Sequence, residues 1–201
     1  MLDIASISTY QWVGFIFGIL YIVFAAYNKN QCWIYSIIST VAIAFEDFIN
    51  LKLYFDGMIQ LFYAVIAAAG LYIWLSGNVQ QSKIRISKLP TSKSLSYIFL
   101  ALILALPTGY IMDYNSDAAF PYIDGFTSIL SIFATFLMVY KLLDTWGYWI
   151  AIDILCIYLY WSRGAPLISL LYFTYLILAI VGWRKWWKIY STQGKRYAFM
   201  S

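Results

Sequence analysis

Seven apolar stretches follow one another along the chain without a single Lys or Arg inside them: Gln11 to Tyr27, Cys32 to Phe48, Met58 to Ser76, Leu95 to Met112, Phe126 to Tyr140, Trp146 to Trp161 and Pro166 to Trp183. Each is close to the ~20 residues that a helix needs to cross the hydrocarbon of a bilayer. A single strand cannot satisfy its backbone polar groups in lipid, so each stretch reads as a transmembrane α-helix. The expected fold class is all-α integral membrane, with seven transmembrane helices.

Composition supports this reading. Of 201 residues, 63% are hydrophobic and 21% aromatic, and only 11% are charged, against about a quarter charged in a soluble domain. The formal net charge of +4 is orientation data in such a chain, not a sign of nucleic acid, and the lipid bilayer is the implied partner. The N-terminus, MLDIASISTYQ, has no basic region and no small-residue cleavage site after the first apolar run, so the first span is expected to stay in the protein. Cys32 and Cys156 belong to no ligand-spaced set and histidine is absent. No metal and no cofactor is therefore expected, and the commonest general base is missing.

The loops orient the spans. The connection from Gly77 to Lys93 carries Lys83, Arg85, Lys88 and Lys93, whereas that from Asp113 to Asp124 carries Asp113, Asp117 and Asp124 and no base. With the N-terminus outside and the C-terminus cytoplasmic, all but Lys52 and Arg163 of the 13 basic residues face the cytoplasm, a strong positive-inside bias. Trp183, Trp186, Trp187 and Tyr190 beside the last bases read as an interfacial anchor.

The chain also repeats. Trp33 pairs with Trp149, IQLFY at Ile59 to Tyr63 with ISLLY at Ile168 to Tyr172, and GLYIW from Gly70 with GWRKW from Gly182. Two three-helix halves, 11–76 and 126–187, are joined through residues 77–125, which hold the basic loop, an unpaired fourth span and the acidic loop; a basic tail, 188–201, follows. An odd number of spans would invert the second half, and one linker helix restores its orientation. The expected arrangement is 3+1+3, with parallel internal repeats about an axis along the membrane normal, the plan of a carrier that rocks one half against the other.

Within the sixth span, Trp146, Trp149, Asp153, Cys156 and Tyr160 fall on one face at helical spacing. A carboxylate in mid-membrane costs about 2.5 to 3.5 kcal/mol on insertion scales, so Asp153 should face a protein interior or a water-filled cavity. Span two offers Trp33, Ser36, Thr40, Ala44, Asp47 and Asn50 on one face; span three Asp56, Gln60, Tyr63, Ala67 and Gly70; span five Ser128, Ser131 and Thr135; span seven Ser169, Tyr172 and Tyr175. Converging, they would line a cavity of hydroxyls, an amide, carboxylates and rings. Against this, membrane Ser and Thr often bond back to their own helix, and Glu46 and Asp47 can sit as solvated charges at a headgroup boundary. An unpaired carboxylate among rings suits a flat cation, held by charge and by stacking. Proton relay is the second use of Asp153.

These residues resemble the PnuC-type vitamin transporters. The resemblance rests on Cys32-Trp33 opening span two, LYxDxxxQxxY at Leu53 to Tyr63, a fifth span ending at Lys141, a Trp-rich sixth span, and LLY in span seven. It covers nearly the whole chain. It implies a full-length SWEET-like fold in a bacterial plasma (inner) membrane, and facilitated diffusion of a small-molecule vitamin that a cytoplasmic kinase traps by phosphorylation; a homo-oligomer is compatible with it. The family's span-six Trp, three residues, then Asn falls on Trp149 and Asp153, so a carboxylate replaces the amide. Its Gln-Trp pair in span five falls on Thr135 and Phe136, while Gln60 and Tyr63 keep the pattern. These departures place thiamine, which some members carry, ahead of nicotinamide riboside as the expected substrate.

The resulting substrate-site expectation is Trp149, Asp153, Gln60, Tyr63, Trp33, Ser36, Thr40, Ser131, Thr135, Tyr172, Glu46 and Asp47. An enzyme is not expected: clustered aspartates on one helix, a membrane-embedded His and a phosphate-binding loop are all missing. Asp153, Glu46 and Asp47 are the candidates for ion coupling, should there be any.

Overall fold

The computed structural model describes residues 8–52, 54–79, 85–115, 120–164 and 166–198. Of the loop charges read above, Lys83 and Asp117 lie outside this set. The described residues form seven α-helices: α1 (Thr9–Ala26), α2 (Gln31–Phe45), α3 (Tyr54–Val79), α4 (Thr91–Asn115), α5 (Pro121–Val139), α6 (Thr145–Ser162) and α7 (Pro166–Ala198). α2 runs on into a π-helix, Glu46–Leu51. Six of the seven are long and apolar enough to cross a membrane. α6 falls short by composition, because its Trp and Tyr rings and Asp153 dilute the hydrocarbon; its 18 residues span about 27 Å at ~1.5 Å per residue.

Four helices run well beyond the sequence expectation: α3 starts at Tyr54 rather than Met58 and α4 at Thr91 rather than Leu95, and α5 and α7 differ further. α5 starts at Pro121 rather than Phe126, since proline suits the first helical position. Asp124 thus lies in the first turn, where the helix dipole favours an anion. α7 continues through the expected tail to Ala198, and Trp186 is fully buried rather than interfacial.

The chain divides into two compact units, Met1–Ile84 and Arg85–Ser201. In the first, α2 packs between α1 and α3. Ser8 caps α1 with a reciprocal capping box to Gln11, and Ser39 Oγ donates to the Gly14 carbonyl at 2.7 Å across the α1–α2 contact. In the second, α4 packs on α5, α5 on α6 and α6 on α7. The core of that unit holds Ala101, Leu130, Ala134, Leu137, Tyr148, Ile152 and Cys156.

A segment ahead of α4 is strapped to the α5–α6 turn. Ser87 N–H donates to Lys141 O, Leu143 N–H donates to Ser87 O, and Leu89 N–H donates to Asp144 Oδ2 at 2.7 Å. Lys88 Nζ lies 4.8 Å from the centroid of the Trp187 ring, a cation–π distance.

The same construction recurs inside each unit. The α1–α2 and α5–α6 turns carry equivalent backbone bonds 113 positions apart: Asn28 N to Ala25 O and Lys141 N to Met138 O, Lys29 N to Phe24 O and Leu142 N to Leu137 O, Cys32 N to Lys29 O and Thr145 N to Leu142 O. Asn28 and Lys141 both take a positive φ, 54° and 52°. The next helix then begins with an indole that fills a glycine notch. A Cβ on Gly70 would stand 2.6 Å from Trp33, and one on Gly182 would stand 2.5 Å from Trp146. Trp33 meets Trp74 edge-on at 5.5 Å, and Trp146 meets Trp186 edge-on at 5.6 Å. Small residues that let helices approach closely are the usual membrane packing device.

This register corrects the sequence pairing. Trp33 corresponds to Trp146, one turn before Trp149, and Gln60 and Tyr63 correspond to Tyr172 and Tyr175. The Gly70–Gly182 pairing holds. From Trp33 to Lys52, the positive-φ residue that closes the π-helix at 59°, there is one residue more than from Trp146 to Gly164, positive at 72°. A π turn bonds i to i+5 instead of i+4, so it absorbs one extra residue. The offset accordingly falls from 113 to 112 between the middle and last helices.

Candidate substrate site

In the second unit the polar face of α6 is as spacing predicts. Asp153 is 3% exposed, one turn before buried Cys156. Among the described residues no hydrogen bond or ion pair reaches its carboxylate. Tyr172, on α7, stacks on Tyr160 with centroids 5.3 Å apart and planes 11° from parallel, and Tyr175 meets Tyr172 edge-on at 5.9 Å. Trp149 is half-buried against the core that includes Ile152 and Cys156. A carboxylate and a set of rings therefore lie together on α6 and α7.

The hydroxyls of the expected site are engaged locally. Thr40 Oγ1 donates to Ser36 O at 2.9 Å, Ser131 Oγ to Thr127 O at 2.8 Å and Thr135 Oγ1 to Ser131 O at 2.8 Å. Each keeps its oxygen lone pairs, so these groups can still accept a bond. Trp33 is fully buried between Gly70 and Trp74, which gives it a packing role. Gln60 and Tyr63 are half-buried one turn apart on α3, with no partner for the Gln60 amide among the described residues.

Glu46 and Asp47 are both buried but differently occupied. Ser8 Oγ and Asn50 Nδ2 donate to Glu46 Oε2, the second at 2.6 Å, so Glu46 ties the start of α1 to the π-helix. The second unit makes the corresponding tie with an ion pair, Arg163 to Asp124, from the residue after α6 to the first turn of α5. Arg163 also faces the Tyr160 ring at 5.9 Å. Sequence reading missed both ties, which join residues 38 and 39 positions apart and follow no local pattern.

Apolar helices of membrane length, a buried carboxylate among rings and the recurrence of one turn-and-indole unit define a multi-pass membrane protein of the carrier type. Comparison places it further. Residues 8–188 match the model of the nicotinamide mononucleotide transporter family, and the chain belongs to that family, whose members are membrane transporters. It is 24% identical over 216 residues to the nicotinamide riboside transporter PnuC of Escherichia coli, covering 95% of this chain and 90% of the relative. It is 26% identical to the transporter of the same name from Neisseria mucosa, covering 88% of this chain and 71% of the relative. The crystal structure of the vitamin B3 transporter PnuC has the same fold, with a TM-score of 0.69 and 24% identity over 90% of this chain and 81% of that one.

Proposed function

We propose that this protein carries nicotinamide riboside across the membrane by facilitated diffusion. The observation that carries the reading is the face of α6 and α7 on which Asp153 lies with Tyr172, Tyr175 and, half-buried nearby, Trp149. A pyridinium ring is flat and positive, and such a face offers it charge attraction and stacking together. Relatives that share most of the chain's length are nicotinamide riboside transporters. Their weight reverses the order expected from the Asp153 substitution alone, which put thiamine first.

Thiamine is the second reading. It is favoured by one feature, a carboxylate where the resembling family has an amide, since a thiazolium has no ribose to bond with that amide. The overall plan we infer is 3+1+3 in the SWEET manner: α1–α3 and α5–α7 are parallel repeats, α4 is the linker, the N-terminus is outside and the C-terminus cytoplasmic. Within it Gln60, Tyr63, Ser36, Thr40, Ser131 and Thr135 supply polar contacts, and phosphorylation by a cytoplasmic kinase retains the vitamin. Calorimetric titration of the purified protein with nicotinamide riboside, thiamine, riboflavin and a deoxynucleoside tests the reading. Binding of the riboside alone supports it, and binding of thiamine alone replaces it with the second.

A further inference from the structure

We propose that Arg163 is a positioning residue of the substrate site in the second unit: held by Asp124, its guanidinium backs the Tyr160 ring and so fixes Tyr172, the ring that Tyr160 stacks on, as a surface for the ring of the vitamin. This rests on the transport reading above. Arg163 closes α6 as its C-cap, and its N–H donates to Leu159 O at 3.1 Å. Gly164, with a φ of 72°, then turns the chain toward α7. Steps of three and four residues lead back from Arg163 to Tyr160, Cys156 and Asp153, so Arg163 ends the polar stripe that carries the buried carboxylate.

Two contacts hold the guanidinium. Nη2 donates to Asp124 Oδ2 in the first turn of α5, and Cζ lies 5.9 Å from the centroid of the Tyr160 ring, within cation–π reach. Tyr160 stacks in turn on Tyr172, which meets Tyr175 edge-on. The backbone beneath Tyr172 is set separately, because Ser169 Oγ, one turn earlier on α7, donates to Ile157 O at 3.0 Å. What Arg163 decides is therefore the placement of the ring, not of the helix. The ion pair alone gives little reason for an arginine here: its side chains are 23% and 20% exposed, and pairs that reach solvent contribute little to stability. The first unit makes the corresponding tie from Ser8 and Asn50 to Glu46, without a cation. Arginine adds a flat, delocalised cation that lies against an aromatic ring while its N–H groups stay paired.

The test uses the purified full chain. It reads affinity for nicotinamide riboside by calorimetry, the thermal midpoint without ligand, and the fluorine resonance of 3-fluorotyrosine placed at position 172 or, for comparison, at position 148 near the start of α6. Arg163→Gln should weaken the riboside by about threefold to tenfold, the scale of coupling relayed through packed side chains, and move the resonance at 172 while that at 148 stays in place. The exchange of Asp124→Arg with Arg163→Asp rebuilds an ion pair between α5 and α6 but sets a carboxylate against Tyr160. It should recover the midpoint and not the affinity. Recovery of both means that the tie alone matters and overturns the proposal. So does a resonance that moves equally at 172 and 148, and if the exchange variant does not fold, these two resonances decide. If the parent binds thiamine and not the riboside, the substrate reading changes and thiamine is the probe. A parent that binds neither cation refutes the transport reading and this proposal with it, whereas a binding parent beside an equally strong Arg163→Gln overturns this proposal alone.

Discussion

Trp146 lies so close to Gly182 that a Cβ on the glycine would stand 2.5 Å from Cη2 of the indole. The ring is 1% exposed and is backed edge-on by Trp186, so it has nowhere to retreat. Trp33 stands in the same relation to Gly70 and Trp74. The indoles thereby set how closely α2 approaches α3 and α6 approaches α7, and each does so just after the tight turn that starts its helix.

Gly182→Ala and Gly70→Ala should each destabilise the protein by about 1 to 3 kcal/mol, the usual cost of overpacking a filled site. Thermal unfolding in detergent checks this, with Ala68→Gly, an exposed α3 position, as the comparison. A glycine variant as stable as the parent would mean that the indole can move aside.

Asp153→Asn replaces the buried carboxylate of α6 with an amide of nearly the same shape. The ratio of affinities for thiamine and nicotinamide riboside should shift toward the riboside. Both cations lose the charge attraction, while only the riboside has a ribose to bond with the new amide, a gain of about 0.5 to 1.5 kcal/mol. Paired titrations read this ratio directly, and an unchanged ratio removes Asp153 from the specificity of the site.

Trp149→Ala should weaken vitamin binding by about 1 to 3 kcal/mol, judged from losses at base-stacking sites. Because Trp149 also packs on the core, affinity is to be measured below the unfolding transition of the variant. Binding equal to the parent would confine Trp149 to packing.

Uptake into vesicles that contain no trapping kinase should stop when the vitamin reaches equal concentrations on both sides. Radiolabel accumulation above that level under an imposed sodium or proton gradient would contradict facilitated diffusion.

Helix identity was legible because apolar runs of membrane length leave few alternatives, and the glycine of each notch was legible because GLYIW and GWRKW share its spacing to a tryptophan. The partner of Trp33 was not. Trp146 and Trp149 are one turn apart, so either suits a helical pattern, and only packing against Gly182 decides between them. The IQLFY–ISLLY pairing misled for a related reason: apolar residues recur every three or four positions, and a slip of one turn reproduces the pattern. At the candidate site, Asp153 announced itself as a charge in hydrocarbon. The separation of Glu46 from Asp47 did not, because it depends on Ser8, which the helix pattern leaves outside the span. The strap from Ser87 to Leu89 has no periodicity at all; its order comes from the backbone of Lys141 and Leu143 and the carboxylate of Asp144, in a turn more than 50 positions away.

The one-residue surplus between Trp33 and Lys52, set against Trp146 and Gly164, has a consequence for how the sequence of the first unit can vary. A mid-helix insertion in an α-helix turns everything beyond it by about 100°, and would carry α3 and its glycine notch away from Trp33. Coiled into a π turn, the surplus is taken up before Lys52, and the notch still meets the indole. Gain of a single codon thus alters the chemistry at the end of α2 while α3 keeps its packing on Trp33.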